Sequence, residues 1–450
     1  MLRSMYAGVS GMKAHMDKMD VVSNNIANVN TVGYKGSRAT FKTMFSQMIQ
    51  GASAPQGGRG GTNPQQIGLG STLGSIDKDM GQGSLQSTGR NQDLAVEGNG
   101  FFVVSDGVNQ MYTKSGSLAK DKNGYLVNSS TGYRVKGWQA DANGNIDTNA
   151  ELDNLTLKQS MEAQATDEVT FSGNLDADAA SGDDWQTTFD AYDSQGSKHT
   201  VSVEFVKDND ADGDGTTTAN QWGYKITDVS GTGSFDINGG STYDDGSGPA
   251  PGGSVTFNTN GNLTSVNGNS VDANGNGIIS TSEKENFTSH PTLNFTPSGG
   301  AANASVTVDF LDMSQNAREM SASRDTVNGY AAGSLIDYSF DNTGTIVGEY
   351  DNGQRQTIGR IALATFNNPG GLAAEGETMF RTSNNSGEPK IGAPANGGFG
   401  GIKAGSLEMS NVDLSRQFSE MITTQRGFQA NSKTISTSDQ ILQELVNLKR

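Results

Sequence analysis

The sequence predicts a multidomain chain in which a terminal α-helical coiled coil encloses nested, mostly β domains of barrel or sandwich type, discontinuous in sequence. Three observations predict it. Apolar residues recur every seven positions at both ends of the 450-residue chain, Asx-Gly turns punctuate β-rich runs in its interior, and nearly all the net charge sits in one central segment.

At the N-terminus, residues 1–30, Met5, Met12, Met19 and Ile26 occupy one heptad position and Leu2, Val9 and Met16 the other. At the C-terminus, residues 411–450, Leu414, Met421, Phe428, Ile435 and Leu442 recur in the same way, after a cap at Asn411 or Asp413. Its second row is mixed: Phe418, Gln425, Ser432, Asp439 and Val446. Two such helices suit a coiled-coil domain that finds partners in an assembly, with methionine lending the interface adaptability. The same periodicity also fits amphipathic helices laid on a globular core.

Residues 31–90 are rich in Gly, Ser, Thr and Gln and read, with 400–410 at the other end, as connecting segments with little helix. Strand patterns occupy 91–160, with turns at Asp106-Gly107, Asn123-Gly124 and Asn143-Gly144. They return over 305–399, with Asn342-Thr343-Gly344 and Asp351-Asn352-Gly353. These halves form one β domain. Between them, residues 161–304 form an inserted outer β domain carrying 21 acids and four bases, a charge of −17 out of −18. The flanks are therefore almost neutral and suited to close packing.

Function classes fall away by composition and motif. A strongly acidic chain with no basic stripe is expected to bind no nucleic acid. No apolar run approaches the about 18 residues of a membrane span, and the N-terminus, with Lys13, Asp17, Lys18 and Asp20, does not read as a cleavable signal peptide. With no cysteine there is no disulfide and no thiolate chemistry. The chain has no Gly-Lys dipeptide, no His-Glu pair and no Gly-x-Ser-x-Gly, so phosphate loops, zincin helices and nucleophile elbows are absent. His15, His199 and His290 lie in different elements, and Asp183-Asp184 and Asp244-Asp245 sit in turn-like surroundings. No catalytic residue is expected and no cofactor, with one candidate exception. Asp272-x-Asn274-x-Asn276-Gly277, continuing to Ser280 and Glu283, follows the twelve-residue calcium loop, with oxygen ligands at positions one, three, five, nine and twelve. Asn/Gly-rich turns meet this pattern too. Asp208-x-Asp210-x-Asp212-Gly213 begins likewise but has Ala219 at the twelfth position.

The run Ser23-Asn24-Asn25-Ile26-Ala27-Asn28-Val29-Asn30-Thr31-Val32-Gly33-Tyr34-Lys35 resembles the N-terminal signature shared by flagellar rod, hook and hook-associated axial proteins. Ser410-Asn411-Val412-Asp413-Leu414, Met421-Ile422, Gln425-Arg426 and Gln440-Ile441-Leu442 resemble their closing helix. Glu97–Phe102, Phe189–Val206 and Gly344–Phe366 look like hook segments, and the resemblance thins between about residues 207 and 300. The resemblance implies a non-enzymatic subunit of a helical homopolymer in the extracellular hook, delivered by the flagellar export apparatus. It also implies contacts with rod, hook-cap and hook–filament junction proteins. A distal rod subunit shares both termini but is usually much shorter. A secreted calcium-dependent adhesin accounts for the acidic middle, but not for the paired heptads.

Overall fold

The computed structural model describes residues 2–55, 57–207, 220–238, 242–243, 250–272 and 279–447. Two long helices bracket a chain whose other regular structure, among the described residues, is mostly strand: α1 is Leu2–Ala27 and α3 is Leu414–Asn447, with one short α-helix, α2, at Thr281–Asn286. The chain forms two compact units. The first comprises Met1–Lys158, Asp337–Glu349 and Arg355–Arg450; the second comprises Gln159–Ile336 and Tyr350–Gln354.

In the first unit, the segment expected as a loose connector is folded. β1 (Ser37–Thr43) pairs antiparallel with β4 (Ser71–Lys78), and β2 (Ser46–Gln50) with β3 (Gln65–Gly68). Its Thr, Ser and Gln side chains suit exposed ribbon strands as well as coil, so composition alone does not separate the two. β5 (Leu85–Ser87) and β6 (Leu94–Glu97) pair with Ser406–Glu408 and Gly401–Ala404, tying the two ends of the chain together. β7 (Phe101–Ser105) lies in a larger sheet between β8 (Gln110–Thr113) and Arg134–Gln139. The latter strand continues the ladder through Arg355–Ile361 to Thr345–Tyr350. The expected Asp106-Gly107 turn joins β7 to β8. One core cluster packs Phe101, Tyr112, Phe366 and Phe380, with the rings of Tyr112 and Phe366 edge to face at 4.8 Å.

The second unit is a sandwich. One sheet orders Thr232–Asn238, Thr292–Pro297, Ala304–Asn316, Glu168–Asp176 and Ser323–Val327; the other is built on Asp184–Tyr192, Lys198–Lys207, Gln221–Val229, Ala250–Phe257 and Leu263–Val266. Alternating residues of both sheets share one core, in which Phe171 meets Phe189 at 5.8 Å and Phe310 at 5.4 Å. The unit extends beyond the insert expected to end at residue 304. Glu168–Asp176 runs parallel to Ala304–Asn316, Val169 beside Val308, and its other edge takes Ser323–Val327. A strand whose partner lies more than a hundred residues upstream leaves no local trace of which sheet it joins.

Candidate assembly interface

α1 and α3 pack antiparallel, and close approaches mark the register along their length. Ser4 Oγ lies 3.4 Å from Ser438 Oγ, Lys18 Nζ 3.7 Å from Glu420 Oε2, and Asn25 Nδ2 donates to Gln417 Oε1 at 3.2 Å. Between these, glycine brings the backbones together. A Cβ on Gly8 would meet Ile435 at 3.0 Å, one on Gly11 the Asn431 amide at 2.7 Å, and one on Gly427 the His15 ring at 2.5 Å. The face of α1 turned to α3 is thus Ser4, Gly8, Gly11, His15, Lys18 and Asn25. It keeps the heptad but stands one residue out of phase with the apolar row read from the sequence.

That apolar row is only partly covered. Val9 and Met16 are 49% and 50% exposed, Met5, Met12, Met19 and Ile26 are half-buried, and Leu2 opens α1. On α3, Met421, Ile435 and Leu442 are half-buried, while Leu414, Phe418 and Phe428 are exposed. The second α3 row facing α1 is polar, with Gln417, Asn431 and Ser438. Tyr6, Ile422 and Ile441 are further exposed apolar residues that the heptad reading missed, and Val446 of its second α3 row is exposed as well. Helix-wheel position, with no heptad assumed, could have found them.

The signature residues form a knot below the helices. Asn25 is buried and fully engaged: its Oδ1 accepts from Ser37 N at 2.9 Å and Tyr34 Oη at 3.2 Å, and its Nδ2 donates to Ser37 O at 2.7 Å. Tyr34 Oη also donates to Asn24 Oδ1, which takes a bond from Asn28 Nδ2; Thr31 Oγ1 donates to Asn28 Oδ1. Ser23 and Ala27 are exposed on α1. Gly33 has φ +70°, and a Cβ there would stand 2.8 Å from Ser115 N, so both backbone and space require glycine. Its N–H donates to Glu408 O at 2.8 Å. Lys35, wholly buried, donates to Glu408 Oε1 and Gly81 O, both at 2.7 Å. Gly83 N also donates to Glu408 Oε1, and Lys114 Nζ lies 3.8 Å from Oε2. Burial pulls the Lys114 ammonium down to about 8, against the raising pull of Glu408 and with a smaller push from Lys35.

Asp413, not Asn411, caps α3: Asp413 Oδ1 accepts from Ser415 N and Arg416 N. Asn411 instead accepts from Gly36 N and donates to Asp79 O and Gly81 O.

Of the calcium candidates, Asn274 and Asn276 lie outside the described residues, as do Asp208–Ala219 and Asp244-Asp245. Ser280 and Glu283 form a capping box on α2, Ser280 N donating to Glu283 Oε2 at 2.9 Å. Ser270 Oγ donates to Asp272 O. Among the described residues no cluster of three or more His, Asp and Glu is arranged to hold a metal. The three histidines are scattered: His15 lies between α1 and α3, His199 bonds Asp193 Oδ2 at 3.2 Å and Ser230 O at 2.8 Å, and His290 sits 3.7 Å from Asp309. Asp183 accepts from Ala180 N in a turn. No described helix is long and apolar enough to cross a membrane.

Four domain families match the chain: Flagella basal body rod protein over 5–35, Flagellar hook protein FlgE/F/G D1 domain over 95–165, Flagellar basal body protein FlaE D2 domain over 154–330, and Flagellar basal body rod FlgEFG protein C-terminal over 403–448. The third spans the region where the sequence resemblance thinned. Relatives match end to end. The flagellar hook protein FlgE of Borreliella burgdorferi is 40% identical and that of Treponema pallidum 38%, each with 100% of both chains covered. That of Salmonella typhimurium is 33% identical over 98% of each chain. On this full-length similarity, the chain belongs to the flagellar hook protein family.

Proposed function

We propose that the chain is the structural subunit of the bacterial flagellar hook, polymerising into the flexible curved tube that carries torque from rod to filament. The observation that carries the assembly mechanism is the apolar stripe of Val9, Met16, Phe418 and Ile422. It is exposed although the two helices already satisfy each other through a different, small-residue row. A stripe left about half exposed within one chain is matched to helices of other copies, and repeated heterologous contacts of that kind generate a helical tube. The outer β units then form the layers that slide as the tube bends. In this reading the chain catalyses nothing, meets rod, cap and junction proteins at the ends of the polymer, and arrives through the flagellar export apparatus.

Electron microscopy of cells lacking the gene, beside the complemented strain, tests the assignment. Basal bodies that stop at the rod, with the curved segment restored on complementation, are expected. Loss of the distal rod instead would establish the rod alternative, and normal flagella would overturn both.

A further inference from the structure

We infer that His15 is an acid-sensitive latch on the α1–α3 pair: a neutral imidazole lets the helices close, and a proton on it drives them apart. The ring lies on the row of α1 that faces α3, against Gly427, where any side chain would collide with it at 2.5 Å. Phe41 of β1 packs edge-on against it, centroids 5.4 Å apart at 79°. Its Nδ1 is buried and meets no hydrogen-bond partner. A neutral ring leaves only a lone pair or a single N–H there. A protonated ring always carries an N–H at Nδ1, in a place with no acceptor, and an unpaired buried donor is costly.

The surrounding charges do not compensate for that proton. On its own helix the acting charge is Lys18, a cation, whose ammonium is 3.7 Å from Glu420 of α3. At the ring itself α3 presents Gly427 and β1 presents Phe41, both uncharged. Burial first, and Lys18 second, hold the imidazole below its ordinary 6.5. Because the closed pair binds the proton less readily than separated helices do, closure is fully favoured above 6.5 and is lost progressively as pH falls below it. The latch belongs to one chain and stands independently of what the helix pair assembles into.

Hydrogen–deuterium exchange on the full chain tests it, read on peptides from 2–27 and 414–447 at pH 7.5 and pH 5 after correction for intrinsic exchange. Wild type is expected to lose protection in both helices at pH 5, while His15→Gln keeps equal protection at the two values. A variant that loses as much as wild type overturns the proposal, because carboxylates are then responsible. So does equal protection of wild type at both pH values, whether high or absent. If His15→Gln fails to close the pair at pH 7.5, the NMR titration of labelled histidine in wild type decides. A His15 midpoint below 6.5 that coincides with the loss of protection supports the latch, and a midpoint at or above 6.5 overturns it.

Discussion

Lys35 and Glu408, 373 positions apart, form a 2.7 Å ion pair with both side chains shut off from solvent. The pair joins the end of the N-terminal signature to the strand that precedes α3. Gly33, two residues before the lysine, donates to the same glutamate's carbonyl. A buried carboxylate that draws one ammonium at hydrogen-bond distance and a second at 3.8 Å is a single electrostatic unit, and removing its members has unequal effects.

Glu408→Gln is expected to destabilise the first unit by about 3–5 kcal/mol, because two buried ammonium groups lose their counter-ion. Lys35→Met is expected to cost less, because Lys114 stays beside the carboxylate. Scanning calorimetry of the full chain, following the transition of that unit, gives the order; a larger loss in Lys35→Met would contradict it.

Alkaline pH reports on Lys114. Its folded value is about 8 against an ordinary 10.5, so above pH 8 the folded chain sheds a proton that the unfolded chain retains. Stability of the first unit should therefore gain from this group as pH rises from 8 to 10.5. Lys114→Met should remove that gain, and the check is the difference between wild-type and variant melting temperatures across the window.

Val9→Asp and Met16→Asp change residues about half exposed and off the row that faces α3, so melting of the monomer should shift little while sedimentable polymer is lost. Gly11→Val acts on the other row: the side chain collides with Asn431 and should destabilise the helix pair by about 1–3 kcal/mol. Polymer formed normally by the Asp variants would remove the exposed stripe from the assembly mechanism.

Added calcium is expected to leave melting of the second unit unchanged, because the Glu283 carboxylate is held by its own helix cap. A calcium-dependent rise that Glu283→Gln abolishes would place the ion in that loop after all.

The helices, their heptads and the hairpin turns were legible because each is written within a few residues. Gly107 and Gly124 take up the left-handed backbone that such turns require. The phase of the helix pair was not legible. Reading the apolar row as the seam assumes that hydrophobicity selects the partner, whereas here Gly8, Gly11 and Gly427 select it by letting backbones approach. Nor did the signature announce its own role: Lys35 reads as a surface cation until Glu408 is folded against it. The return of Ala304–Asn316 to the second unit stayed hidden for the same reason, since its parallel partner is distant in sequence.

The antiparallel register of α1 and α3 also has a consequence in time. Ser4 meets Ser438 and Asn25 meets Gln417, so two helices separated by nearly the whole of this sequence are each other's partner. From whichever end the chain is delivered, the first helix waits for the other to arrive before it can close. A chain cut short anywhere before α3 therefore never acquires the paired helix face.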